Sequence, residues 1–174
     1  MTSSKHFAPN ARTALMADAA AIVEMERAVF PDPYSLHTVN RLIGENYAFA
    51  LVCEDETGAL CGYLLAQCIP PEAELLRIAV LPSARRNGAA RALMARFLSV
   101  CAARGASELF LEVRASNDAA IALYRAYGFD ACGTRRQYYK SPTEDALLMA
   151  RHDESNRWSG NVCTACPPTT TENP

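Results

Sequence analysis

Three apolar segments follow one another between Tyr47 and Val80, and their punctuation constrains the fold more than any other feature of the chain. Tyr47 to Glu54 and Cys61 to Cys68 are separated by Asp55-Glu56-Thr57-Gly58, a polar, glycine-closed tetrapeptide of the kind that turns a hairpin. The third segment, Glu72 to Val80, is entered after Pro70-Pro71 and left at Pro82, whose missing N–H disfavours continuation of a strand ladder. A sheet is therefore expected at the centre of the fold.

Helical and extended patterns flank this run. Arg12 to Leu15 predicts a short first strand. From Asp18 the spacing of Ile22, Met25, Glu26 and Val29 predicts a helix capped by Asp18 and stopped at Pro31. Phe30-Pro31-Asp32-Pro33-Tyr34-Ser35 reads as a turn-rich loop, with Ser35 capping a second short helix through about Gly44. Asn87 to Arg104 is the longest helix, carrying Ala90, Leu93, Met94, Phe97, Leu98 and Cys101 at helical spacing and stopped by Gly105. Ser107 to Val113 predicts a strand, Asn117 to Tyr127 a helix ended by Gly128, and Asp130 to Tyr139 and Asp145 to Arg151 two last strands. Hairpins and crossovers both occur, so the expected architecture is α/β, a mixed sheet with helices on both faces.

The 174 residues suit one domain, expected over 1–151. Beyond Arg151 only Trp158, Val162, Cys163, Ala165 and Cys166 are apolar, too few to offset the entropy of ordering, so 152–174 is expected to be a disordered tail. A net charge of −2 and a pI near 5.9 argue against wholesale contact with nucleic acid or a membrane surface, and any basic site must be local. No apolar run reaches the roughly 18 to 20 residues that span a bilayer, and the first residues lack the apolar segment of a secretory signal, so a cytoplasmic protein is expected. Cys53, Cys61, Cys68, Cys101 and Cys132 stand singly in apolar stretches and are expected to be reduced. Cys163-x-x-Cys166 has metal-like spacing, but structural zinc takes four ligands and only His152 lies near, so no metal is expected.

Three places carry residues suited to chemistry. Arg85-Arg86-Asn87-Gly88-Ala89-Ala90-Arg91 lies between a strand and the long helix, where small residues, the helix dipole and arginines suit a phosphate; a solvated basic helix start remains the alternative. In Ser107 to Val113, alternation puts Glu108, Phe110 and Glu112 on one face; Glu112 is then either a solvated rim residue or a partly desolvated carboxylate. Asn117 and Tyr124, seven residues apart, fall within about 20° of each other on a helix, which fits either a shared site or a cap and a core residue.

In this order the segments resemble the GNAT superfamily of acetyl-CoA-dependent N-acetyltransferases. Arg85, Gly88 and Ala90 meet its cofactor signature, and Ile78-Ala79-Val80 with Pro82 looks like its fourth-strand bulge and exit. Leu111-Glu112-Val113-Arg114-Ala115-Ser116-Asn117, Ala120 to Tyr124, Tyr127-Gly128-Phe129, Arg135-Arg136-Gln137-Tyr138-Tyr139 and Glu144-Asp145-Ala146 are similar to the RimI type within it, over about residues 12–151. That subfamily acetylates the N-terminal alanine of a small-subunit ribosomal protein.

The resemblance implies a mostly antiparallel sheet of about seven strands and acetyl-CoA as co-substrate. It implies Glu112 as proton acceptor, direct or through water, and Tyr124 as proton donor to the coenzyme A sulfur. Ile78, Ala79 and Val80 would meet the pantetheine arm, with the Val80 N–H as oxyanion donor. Arg85, Arg86, Asn87, Gly88, Ala89, Ala90 and Arg91 would hold the pyrophosphate, and Asn117 would touch the cofactor near Tyr124. Pro33-Tyr34-Ser35 mirrors the substrate-side loop, with Asp32-Pro33 as an insertion and Arg77 a cation near the peptide groove, so Tyr34 and Tyr138 are the expected acceptor contacts. An α-amino group, with a pKa of about 7.7 to 8.0, needs only modest help from a base. The expected partner is a ribosomal protein N-terminus, with no nucleic acid or membrane, bound by a monomer or weak dimer. Two other readings use the same residues differently: acetylation of a small-molecule amine or of protein lysines, and a non-catalytic acyl-CoA-binding or ribosome-binding module.

Overall fold

The computed structural model describes residues 9–152, which fall into two units, 9–106 and 107–152. In the first, β1 (Ala11–Thr13), β2 (Ala48–Glu54), β3 (Leu60–Ile69) and β4 (Glu72–Val80) pair in that order, every pair antiparallel. The hairpin between β2 and β3 turns where expected: one Asp55 oxygen accepts the Thr57 N–H at 2.8 Å, the Thr57 hydroxyl at 2.6 Å and the Ala59 N–H at 3.1 Å, and Gly58 takes φ +83°.

Strand alternation sorts the core. Ala48, Ala50, Val52, Tyr63 and Leu65 share a cluster with α1 (Ala19–Val29) and α2 (Leu36–Gly44). From the opposite face of β2, Phe49 stacks on Phe97 of α3 (Ala89–Ala103), with ring centroids 6.0 Å apart. Helices thus cover both faces. Leu65 pairs with Arg77 but its neighbour Ala66 pairs with Leu75, leaving Leu76 as an extra residue. Because strand side chains alternate with period two, that bulge exchanges faces: Ala73 and Leu75 go with Cys68 and Ala66, Arg77 and Ala79 with Leu65 and Tyr63. The bulge therefore precedes Ile78-Ala79-Val80 instead of lying within it; those three residues run in regular register opposite Leu64, Tyr63 and Gly62.

Other boundaries differ for local reasons. Asp18 does not cap α1 with its side chain. It closes a 3₁₀ turn, Met16–Asp18, accepting the Leu15 N–H at 2.7 Å and Arg12 at 2.7 and 3.1 Å, and chiefly the Arg12 bonds hold its carboxyl below the usual range. Ser35 does cap α2, accepting the Thr38 N–H at 3.2 Å. The long helix begins at Ala89 and not Asn87, because Gly88 at φ +87° is left-handed.

In the second unit β5 (Glu108–Arg114), β7 (Thr143–His152) and β6 (Asp130–Lys140) lie in the order β5-β7-β6, both pairs antiparallel, with α4 (Asp118–Ala126) between β5 and β6 in sequence. This brings the strands to seven among the described residues. Leu109, Leu111 and Val113 are buried, as the alternation of β5 predicts, and Phe129 is fully enclosed edge-on to Tyr124. Cys53, Cys61, Cys68, Cys101 and Cys132 are free thiols, and burial pushes Cys53 and Cys101 up to about 12. No helix among the described residues is long and apolar enough to cross a membrane. β7 takes in His152; the expected tail with Cys163 and Cys166 otherwise lies outside the described residues.

Gly62 controls how closely α3 approaches the sheet. A Cβ there would stand 3.0 Å from the Ala79 carbonyl oxygen, 3.1 Å from Val80 Cγ2 and 3.3 Å from Leu93 Cδ1. Backbone cannot yield as a flexible side chain does, so Gly62→Ala is expected to lower stability by about 1–3 kcal/mol, the usual range for overpacking. Chemical denaturation reads this as a lower midpoint at constant slope; an unchanged midpoint would show that the contact relaxes freely.

Candidate active site

Beyond β4 the chain makes a 3₁₀ turn, Pro82–Ala84, and enters α3 through Arg85, Arg86, Asn87 and Gly88. Arg85 Nε donates to the Val80 carbonyl at 3.2 Å, tying this loop to the strand it left. Arg86 and Gly88 both have positive φ, +65° and +87°, and left-handed residues beside ordinary ones turn successive N–H groups into one concavity. No side chain caps α3. The first-turn N–H groups of α3 and the positive end of its helix dipole lie there. Arg91 belongs to the same first turn. This donor set fits a pyrophosphate: oriented amides with fixed cations around them. All seven residues expected to hold the cofactor phosphates are therefore gathered at one helix start.

A second cluster in this unit surrounds Glu26 on α1, which is 0% exposed. Glu26 Oε1 accepts the Tyr63 hydroxyl at 2.6 Å; Oε2 accepts the Tyr34 N–H at 2.8 Å and a guanidinium N–H of Arg77. The other Arg77 nitrogen donates to Asp32 O and Oδ2 at 3.0 and 3.1 Å, and its guanidinium lies 4.4 Å from the Phe30 ring centroid and 4.0 Å from that of Tyr34. Arg77, expected as a cation near a groove, is fully engaged within its own unit. Glu26 was the residue to notice in the sequence: a carboxylate in the stripe Ile22, Met25, Val29 must be paired to be buried.

In the second unit Glu112 stands on β5 with its side chain about one-fifth exposed, its Oε1 2.8 Å from Arg135 of β6. The Glu112 carboxylate, and then burial, raise the Tyr138 phenol. A bulge in β6 follows Arg135. Arg135 pairs with Ala146 and Tyr139 with Glu144, so Arg136, Gln137 and Tyr138 face a single residue, Asp145. Gln137 is left-handed at φ +49°, its N–H held by Asp145 Oδ1 at 2.8 Å. Tyr138 lies beside Arg135, whose guanidinium is 5.0 Å from its ring centroid.

Tyr139 meets Arg114 at 4.1 Å from its centroid, and its phenol is pushed up to about 12, first by burial and then by Glu112. Arg114 reaches Glu144 at 3.1 Å, and Glu144 accepts the Ser116 N–H at 2.7 Å, which fixes the entry to α4. Asn117 caps that helix through Oδ1, accepting the Ala120 N–H at 3.2 Å. Tyr124, two turns on, is buried; burial, then Tyr139, raises its phenol well above the usual value. Arg135, Tyr139 and Arg114 were not among the expected site residues, although Arg135 and Tyr139 lie in the Arg-Arg-x-Tyr-Tyr run that marked the subfamily. No group of His, Cys, Asp and Glu among the described residues is arranged to hold a metal.

The acetyltransferase (GNAT) family model matches residues 19–129. The chain is 38% identical over 136 residues to the [ribosomal protein bS18]-alanine N-acetyltransferase of Escherichia coli (strain K12), covering 76% of this chain and 90% of that protein. It is 37% identical over 141 residues to the N-alpha-acetyltransferase RimI of Mycobacterium tuberculosis, covering 78% of this chain and 87% of that one. Among solved structures, the ribosomal-protein-S18-alanine N-acetyltransferase from Escherichia coli superposes with a TM-score of 0.78 at 30% identity, over 89% of this chain and all of the other.

The left-handed Gln137 gives a direct test of the β6 bulge. An L side chain at φ +49° is strained, and relieving it is worth up to about 1 kcal/mol. Gln137→Gly is expected to raise the denaturation midpoint slightly while the Glu112–Arg135 pair stays in place in a crystal structure. A drop in stability would mean that the Gln137 side chain contributes more than its backbone loses.

Proposed function

This chain belongs to the acetyltransferase (GNAT) family, and on that premise we propose that it is an acetyl-CoA-dependent enzyme acetylating a protein N-terminus, the N-terminal alanine of a small-subunit ribosomal protein. The observation that carries the reading is the pair of proton-handling groups in residues 107–152: the partly exposed carboxylate of Glu112 and the phenol of Tyr124, kept protonated by burial. The choice of acceptor is supported by relatives named for alanine N-acetylation that this chain matches over about nine-tenths of their length.

Acetyl-CoA supplies an acetyl group already activated as a thioester. The chain's own residues divide the remaining work. The nest at Arg86 to Ala90, with Arg85 and Arg91, takes the pyrophosphate, and the Ile78-Ala79-Val80 backbone takes the pantetheine arm, the Val80 N–H serving as oxyanion donor. Asn117 keeps its amide nitrogen for the cofactor, since Oδ1 is committed to the helix cap. Glu112, oriented by Arg135, removes a proton from the substrate ammonium directly or through one water. Tyr124 returns a proton to the coenzyme A sulfur. Tyr34 and Tyr138 contact the acceptor peptide. Transfer is direct, without a covalent enzyme intermediate, in a cytoplasmic monomer or weak dimer that requires neither nucleic acid nor membrane.

Thiol release with acetyl-CoA and peptides beginning with alanine tests this reading, with polyamines and aminoglycosides as competing acceptors. Tyr124→Phe is expected to lower kcat by about 10²–10⁴-fold, the range for losing a positioned proton donor, while binding of coenzyme A persists. Turnover of the small amines alone would replace the peptide as acceptor.

Glu112→Gln has a distinct signature in pH. An α-amino group with pKa about 7.7–8.0 loses its own proton as pH rises through that value. The deficit in kcat/KM is therefore expected to be largest near pH 6.5 and to shrink above about pH 8. A deficit independent of pH would show that Glu112 is not the base.

A further inference from the structure

The mechanism makes no use of Glu26, the one charged residue fully buried among those described. One oxygen, Oε1, is taken by the Tyr63 hydroxyl; the contacts of the other lead to one place. The Tyr34 N–H is on its Oε2, and Arg77 links it to Asp32 while lying against the Phe30 and Tyr34 rings. The segment from Phe30 to Ser35 belongs to no helix or strand and holds two prolines without N–H groups; its ends are held by the Phe30 N–H on the Glu26 carbonyl and by the Ser35 cap of α2, and the Phe30 and Tyr34 rings pack against the core. Between those ends, the hydrogen bonds to Asp32 and to the Tyr34 N–H come from one arginine and one carboxylate that belong to other elements.

Arg77 reaches this position only through the bulge at Leu76, which brings it to the Tyr63 face of the sheet, and it directly precedes Ile78. We propose that Arg77, fixed by Glu26, is a positioning residue for the acceptor: it holds Phe30 to Tyr34 in the conformation that presents the Tyr34 ring to the incoming peptide. The inference rests on the acceptor role given to Tyr34 above. A planar guanidinium suits the place because it fills the gap between two rings and still forks to two acceptors; an ammonium does neither. Asp32 closes the outer end of the same arginine from the exposed rim, its side chain 79% exposed.

The test is Arg77→Lys, which keeps the charge against Glu26, with the paired change Glu26→Leu and Arg77→Met as a second variant should the first not fold. Two readouts are taken: hydrogen exchange across 30–35, which reports the loop without reference to activity, and steady-state kinetics with an alanine-initiated peptide. Exchange in the loop is expected to speed up by about tenfold or more. The peptide KM should rise about tenfold, with kcat and the acetyl-CoA KM within about twofold of the original. Unchanged exchange overturns the inference. So does a loosened loop with an unchanged peptide KM, which would make the cluster structural only, and so does a rise in acetyl-CoA KM equal to that for peptide. A wild-type protein that turns over a small amine but no peptide defeats the acceptor reading alone, since the same split in KM, measured on that amine, still decides the role of Arg77.

Discussion

A carboxylate buried in an apolar helix face is stable only if cations and donors meet it there, and Glu26 sets that demand for the whole of residues 9–106. Breaking such a pair by removing one partner typically costs about 3–5 kcal/mol, a large fraction of what a domain possesses. The demand propagates outward. Tyr63 must be on that face of β3, Arg77 on that face of β4, and the Tyr34 N–H at the end of the loop. An uninterrupted β4 would send Arg77 to the side of Leu75, toward the face that carries Phe49 and α3. The extra residue at Leu76 is thus tied to the buried charge: one without the other leaves Glu26 short of its cation.

The second unit uses the same backbone device to a different end. Its β6 bulge sets Tyr138 beside Arg135, which regular register has already put on the Glu112 face, but here the arginine side chain is 55% exposed. Exposed ion pairs contribute about 0–1 kcal/mol, so this contact can be exchanged for a substrate group at small loss, whereas the Glu26 contact cannot. Burial decides which carboxylate holds structure and which remains available for chemistry. The same contrast separates Asp18, locked by Arg12 and the Leu15 N–H, from Asp32, at the rim of the loop.

The sequence made legible what depends on period and on single residues acting locally. Alternation in β5 placed Glu112 and Leu111 on opposite faces, and Ser35 and Asn117 are the caps their positions suggest. The bulges were not legible in place, because an inserted residue changes register without changing composition: Glu72 to Val80 reads as one strand with or without it. Asp18 misled for a related reason. It has the chemistry of a cap, but Arg12 and the 3₁₀ turn offered its carboxylate better partners than the helix behind it. Glu26 stood in plain view in an apolar stripe, yet its partners come from 8, 37 and 51 residues away, and nothing local names them.

The acid and base roles proposed for residues 107–152 rest on how environment sorts similar groups. Tyr124, Tyr138 and Tyr139 are all pushed toward the protonated form, the first and third chiefly by burial, the second chiefly by the Glu112 carboxylate. Glu144 is occupied with Arg114 and the Ser116 N–H, chiefly the latter residue holding its carboxyl below the usual range. Glu112 is left as the carboxylate whose partner, Arg135, is itself open to solvent. A phenol that keeps its proton and a carboxylate that can exchange its partner are complementary, which suits the proposed proton donor and proton acceptor. Moving Tyr124 to the surface or burying Arg135 would erase the distinction without changing a single functional group, which places the chemistry of this unit in its packing as much as in its side chains.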